Sequence, residues 1–192
     1  MSLPAILISA LLVNNFVLTR FLGICPFVGV SRHLGSAFGM GAAVTFVLAL
    51  ASLVTWLIQQ YILVPLQFTY LQTVFFILII AALVQLLEML LRKYSPVLQK
   101  ALGVYLPLIT TNCIVLGVAI LNINENYDLL QSVVHGVGAG LGFLLALLAM
   151  SGIRERLDKA PVPERFQGVP ITFITAALMS MAFAGFAGLN LK

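Results

Sequence analysis

Hydrophobic residues in this chain come in long unbroken runs separated by short polar stretches. Residues 3–19 meet no charge before Arg20, residues 38–58, 101–121, 133–153 and 169–189 contain none, and residues 71–91 contain only Glu88. A helix of about 20 apolar residues crosses a hydrocarbon layer roughly 30 Å thick. The pattern therefore predicts six crossings, an all-α integral membrane protein. Composition agrees: 61% of the 192 residues are hydrophobic and 8% charged, against about 25% charged in soluble domains. The opening "MSLPAIL" has no positive flank, and no small-residue cleavage site follows its apolar run, so the first segment reads as retained rather than as a signal peptide.

Charge then supplies an orientation. With sides numbered alternately, Arg32, Arg92, Lys93, Lys100, Arg154, Arg156, Lys159 and Arg165 fall on one face, while the other has Lys192, with Glu125 and Asp128 in its longest loop. Loops rich in Lys and Arg stay cytoplasmic, which predicts extracytoplasmic termini. Arg20 lies within the first segment and is left out of that comparison. The net charge of +4 is spread over loops rather than gathered in one patch, which argues against a nucleic-acid partner.

Two stretches recur. Cys25-x-x-x-Gly29-Val30 is matched by Cys113-x-x-x-Gly117-Val118, and "GMGAAVTFVLAL" from Gly39 is matched by "GVGAGLGFLLAL" from Gly136. The interval from cysteine to the Gly-x-Gly is longer in the second copy, the extra residues falling around "NINENYDLL". This predicts a single transmembrane domain, 1–192, built of repeat 1 (about 1–95) and repeat 2 (about 96–192). Three crossings per repeat is an odd number, so the halves should be inverted about a pseudo-two-fold axis in the membrane plane.

Both cysteines sit where a helix is expected to break. Proline disfavours helix in the residue before it, and Pro26 follows Cys25; "TTNC", rich in side chains that compete for backbone hydrogen bonds, surrounds Cys113. From residue 101, Cys113 lies about 18 Å into the membrane, near its middle. Cys25 would lie about 33 Å along a straight helix from Leu3, so its path must be shortened by a tilt, an outside turn or a break near Asn14-Asn15. Three fates are open to such thiols: inert packing, a disulfide, uncommon in a bilayer interior, or metal ligation. Two thiolates fall short of the four ligands an iron–sulfur cluster takes, so ligation requires a second polypeptide. His33 and His135 fall near opposite interfaces and read as interfacial rather than as ligands.

"NNFVLTRFLGICPFVGVS", "LPLITTNCIVLGVAILNINEN" and "AALMSMAF" resemble the A-type family among the membrane components of the Rnf (Rsx) ion-translocating electron transport complexes. The D- and E-type components of the sodium-pumping NADH:quinone reductases look related through the same repeat. The resemblance covers the whole chain. It implies two inverted three-helix repeats with broken helices at the cysteine motifs, in a bacterial inner membrane. It also implies a homologous membrane partner, the E component of the Rnf complex, alongside its B, C, D and G components. On that basis Cys25 and Cys113 are two of four thiolate ligands to an intramembrane [2Fe–2S] cluster, which carries electrons across the bilayer in a ferredoxin- and NAD-linked ion translocase.

Other features add little chemistry. The glycine-rich blocks open apolar helices without a preceding strand, so they suit close helix packing rather than dinucleotides. Glu88 precedes Arg92 and Lys93 at helical spacing and reads as an interfacial ion pair, with a place on an ion path as the alternative for a carboxylate within a crossing. Arg20 either neutralises a nearby anionic centre or snorkels to the interface. Asn14, Asn15, Asn112 and Gln85 are candidates to line a cavity. Residues 154–165, "RERLDKAPVPER", read as a solvated connection. With no nucleophile–base pair and no paired carboxylates, the chain has no catalytic residues of its own. A secondary transporter with a midplane binding site is the rival reading, since inverted repeats with broken helices also describe transporters; a scaffold with inert cysteines is a third.

Overall fold

The computed structural model describes residues 3–66, 69–94 and 106–185, and the regular elements among them are helical. The chain begins as α1 (Leu3–Ile8), widens into a π-helical turn (Ser9–Val13), and restarts as α2 (Phe16–Arg20) and α3 (Ile24–Val30). Longer helices follow: α4 (Leu34–Ile58) and α5 (Gln72–Tyr94). Then come the short α6 (Leu106–Thr110), α7 (Cys113–Asn124), α8 (Leu129–Leu157) and α9 (Val169–Ala184). Four stretches are long and apolar enough to cross a membrane: Leu34–Leu63, Gln72–Met89, Pro107–Asn124 and Leu129–Leu157; Leu3–Val13 and Val169–Ala184 are apolar but shorter. Each hydrophobic run of the sequence thus carries helix, although the start of the fourth run and the end of the sixth fall outside the described residues.

The first run is not one continuous crossing. Asn14 ends the π turn, and Asn15 takes an extended conformation (φ −63°, ψ 113°) with its side-chain oxygen accepting from the Val17 N–H at 3.1 Å. Asparagine is a favoured cap because its short side chain satisfies an N–H that a helix start leaves free. A second interruption follows, with Phe21 (φ 55°) and Gly23 (φ 82°) both left-handed. The sequence puts the break at Ile24-Cys25-Pro26; helix α3 instead begins at Ile24 and runs through both residues. Pro26 is tolerated there because first-turn N–H groups have no intrahelical acceptor to lose.

Helix α8 is the spine, and α4 lies antiparallel against it. Gly41 faces Leu144, Gly140 faces Thr45, and Gly136 faces Leu48 and Ser52. Lipid offers no hydrophobic drive between helices, so close van der Waals approach over small residues holds them; the glycine-rich blocks do pack helices. On another side of α8, a Cβ at Gly138 would stand 3.2 Å from the Ala10 Cβ of the π turn. Phe27, Met40, Leu48, Ile114, Val118, Phe143 and Leu147 close the buried core. Phe38, Phe46, Leu78, Met89, Leu178 and Met181 point outward, as lipid-facing side chains do.

These contacts fix the path of the broken segment. Asn15 Nδ2 donates to the Gly142 carbonyl at 2.8 Å, and a Cβ on Gly23 would stand 3.1 Å from the Phe143 ring. Phe143 is the central residue of α8. Both ends of residues 15–23 therefore meet α8 near its midpoint, while Phe16 between them reaches back to His135.

Candidate metal centre

The two cysteine-bearing helices meet at that midpoint. Helix α6 ends at Thr110, Asn112 caps the restart with Oδ1 accepting from the Ile114 N–H at 3.3 Å, and Cys113 is the first residue of α7. From the other segment, the Gly23 N–H donates to Cys113 Sγ at 2.9 Å. A Cβ on Gly23 would lie 3.3 Å from Asn112 Oδ1, and its left-handed φ favours glycine. One turn further along α7, Leu22 sits over Gly117, its Cδ1 2.8 Å from where a Cβ would be. Cys25 follows Gly23 by two residues, a span of at most about 7 Å of chain, so its backbone stands on the order of 10 Å from Cys113 Sγ. Both thiols are free and exposed on the chain's surface.

The Cys-x-x-x-Gly-Val correspondence does not survive as an equivalence of use. Cys25 is the second residue of its helix and Cys113 the first. Gly29 has open space around it, whereas Gly117 receives Leu22. The two positions that do match are Asn15 and Asn112: each caps a restarted helix by accepting from the N–H two residues on. The interval from Asn15 to Gly39 equals that from Asn112 to Gly136, so no insertion is needed between cap and glycine block. Sequence reasoning marked both asparagines as break residues but missed this common spacing, and it missed Gly23 altogether. The signal for Gly23 was a glycine directly before Ile-Cys-Pro.

Helix α3 is short and is held at its far end. Arg154, 7% exposed, donates from Nη1 to the Val28 carbonyl at 2.7 Å and to Ser31 Oγ at 2.9 Å. Residues 154–157 are thus the last turn of α8 rather than part of a solvated loop. The partial negative charge at the end of α3 favours a guanidinium there. Further along, Lys159 and Glu155 form an exposed pair at 3.4 Å.

At the opposite end of α8, a polar cavity of about 80 Å³ is lined by Asn14, Arg20, Glu125, Tyr127 and His135 among others. His135, near the start of α8, is buried: its Nδ1 lies 2.6 Å from Asn122 Oδ1, and its ring meets Phe16 and Tyr127 edge-on. The reason is local, since the turn after α7 folds Tyr127 back over the start of α8. Burial and the adjacent Glu125 carboxylate raise the Tyr127 phenol above its ordinary range. Arg20 sits over the Phe16 ring at 5.7 Å. His33 is exposed. The Arg92 side chain expected to pair with Glu88 is outside the described residues. Among the described residues, no three His, Cys, Asp or Glu side chains converge as a metal site.

Long apolar helices, a packed spine and a broken midpoint where Gly23 meets Cys113 define a polytopic membrane protein with an interrupted centre. The chain belongs to the Rnf-Nqr subunit family of membrane proteins, whose model matches residues 3–190. It is 60% identical, over the full length of both chains, to the A component of the Na(+)-translocating ferredoxin:NAD(+) oxidoreductase complex of Acetobacterium woodii. It is 58% identical to the A component of the ion-translocating oxidoreductase complex of Syntrophotalea carbinolica, covering 98% of this chain and 97% of that one. The component of the same name from Pseudoalteromonas translucida is 59% identical, with 96% and 95% covered.

Proposed function

We propose that this chain is a membrane component of a ferredoxin- and NAD-linked ion-translocating complex, in which Cys25 and Cys113 supply two of the four thiolates around an intramembrane [2Fe–2S] cluster. A homologous membrane chain, the E component, supplies the other two, and the B, C, D and G components complete the complex. The observation that carries this reading is the hydrogen bond from the Gly23 N–H to Cys113 Sγ. It joins Cys113 to the residue two before Cys25, segments far apart in sequence, beside the centre of α8, and both thiols are exposed.

The donor set fits such a centre. With two cysteines in the whole chain, a four-thiolate site needs another polypeptide, and exposed thiols are available to one. Cys113 opens a helix, where unpaired N–H groups carry partial positive charge and stabilise an anionic sulfur. Gly23 adds a backbone donor. The chemistry the cluster supplies when bound is one-electron acceptance and release at mid-membrane. The chain's own residues hold the sulfurs, and the Gly23 N–H keeps a backbone donor on Cys113.

Two features support the wider frame. The antiparallel register of α4 on α8, with the matching caps at Asn15 and Asn112, is what two inverted three-helix repeats produce. The basic residues Arg32, Arg154, Arg156 and Lys159 gather at one end of the bundle, which orients that end to the cytoplasm of a bacterial inner membrane and the termini outward. A tag beside Glu125 reports extracytoplasmic exposure; labelling from the cytoplasm overturns the orientation.

The test of the central reading is spectroscopic. The purified complex shows an iron–sulfur EPR signal on reduction, which Cys25→Ala and Cys113→Ala each abolish. A signal and electron flux that survive both substitutions sink the ligand assignment.

A further inference from the structure

Where α8 ends and α9 begins there is a cavity of about 290 Å³. It is lined by Arg32 and Arg154, by Gly168 at the start of α9, and by the apolar Leu157, Val162 and Ile171. Arg154 is 7% exposed, and its two hydrogen bonds, to Val28 and Ser31, both leave from Nη1. Nε and Nη2 have no partner among the described residues, and neither is sealed off by protein. A guanidinium taken out of water is normally paired, so this one has donors left for a group in the cavity. Arg32, on the turn between α3 and α4, is exposed. Asp158 also lines the cavity, but one carboxylate against two guanidiniums leaves the charge positive. The backbone adds to it. Helix α9 has 16 residues, and Gly168 before it (φ 83°) supplies no side-chain cap. No atom lies within 4 Å of where a Gly168 Cβ would stand, so the helix start is left open. Free N–H groups and the helix dipole favour an anion there.

We propose that this cavity binds the phosphate headgroup of an anionic phospholipid. The charge calls for an anion, and the apolar part of the lining calls for an amphiphile, since a free phosphate would leave Leu157, Val162 and Ile171 facing water. Depth agrees. Arg154 lies in the last turn of an apolar span, and Val169 opens an apolar helix, which puts the cavity at the level of the lipid headgroups. Phe166 and Val169, both exposed, continue the apolar surface beside it. A lipid held there ties together the α3–α4 turn, the end of α8 and the start of α9.

The test uses the whole complex, purified in detergent, and a photoreactive phosphatidylglycerol. The reagent labels this chain within residues 157–171, and unlabelled phosphatidylglycerol competes where inorganic phosphate at the same concentration does not. Arg32→Gln removes one charge and lowers labelling about fivefold, the worth of one basic group near anionic lipid. Arg32→Glu reverses that charge and lowers labelling at least about tenfold. Arg156→Gln, which removes an exposed charge near the same end but outside the cavity lining, leaves labelling unchanged. Labelling confined to other residues, or equal in the unaltered complex and both Arg32 variants, overturns the proposal. Full competition by inorganic phosphate assigns the cavity to the free ion and overturns the lipid. An equal loss in Arg156→Gln shows attraction to surface charge in general and overturns the site.

Discussion

The two helix restarts, at Asn15 and at Asn112, use one device in two settings. Each asparagine caps the helix after it through the same oxygen. At Asn15 the nitrogen is absorbed by the Gly142 carbonyl, and Gly142 can be approached because it has no Cβ to fill the space; one there would lie 3.3 Å from that nitrogen. The position aligned with Gly142 in the first glycine block is Thr45, whose hydroxyl folds back onto the Gly41 carbonyl at 2.7 Å. At Asn112 the nitrogen stays unpaired beside a cysteine. The first break is closed by the chain's own hydrogen bond, and the second is open only in that one buried donor stays unpaired.

That contrast can be broken most forcefully at Gly23. Gly23→Val places a branched side chain in a left-handed conformation, costing about 1–2 kcal/mol in backbone alone, and drives it against Phe143 and Asn112. Cluster content measured by EPR should fall more than tenfold; full content would mean the junction does not bring the thiols together. At the first break, Asn15→Ala loses both a cap and a buried hydrogen bond, about 2 kcal/mol together. Asn112→Ala loses only the cap, about 1 kcal/mol. Thermal unfolding of the purified protein separates the two, and equal losses would erase the distinction between a closed break and an open one.

Anchoring differs as well. Helix α3 has seven residues and α7 twelve, so α3 depends more on its far end. Arg154→Met, which keeps most of the side-chain stem, removes charged hydrogen bonds to Val28 and Ser31. The expected loss is about 2 kcal/mol, read as a lower unfolding midpoint; an unchanged midpoint would show α3 to be held by packing alone. The smallest effect separates the two glycines of the cysteine motifs. Gly29→Ala enters open space inside a helix and is neutral or stabilising by up to about 1 kcal/mol. Gly117→Ala must first move the Leu22 Cδ1 aside, so it gains less than Gly29→Ala. Identical responses would restore the equivalence of the two motifs.

Much of this was legible beforehand, for identifiable reasons. Runs of apolar residues announce membrane helices because lipid leaves no other way to satisfy a backbone, and all six runs carry helix. "TTNC" announced a break because its side chains compete with the helix for backbone groups, and α6 does end at Thr110. The proline rule misplaced the other break by a few residues: proline is disruptive within a helix and harmless in its first turn. The repeat was visible, but its cysteines suggested the wrong register, since a rare residue draws more notice than an evenly spaced asparagine. The burial of His135 was not legible, because hydropathy along a run says nothing about a neighbouring turn folding over it.

What the sequence determined by itself was local: which stretches enter lipid, which residues stop a helix, and that two thiols cannot complete a four-ligand centre. Each follows from the preferences of a few adjacent residues for water, lipid or a cap. Only tertiary structure decided that Gly23 bonds Cys113, that Arg154 turns inward, and that one asparagine amide is satisfied while its counterpart is not. Those outcomes depend on which helix passes within reach of which carbonyl, and that distance is set by packing between segments far apart in the chain.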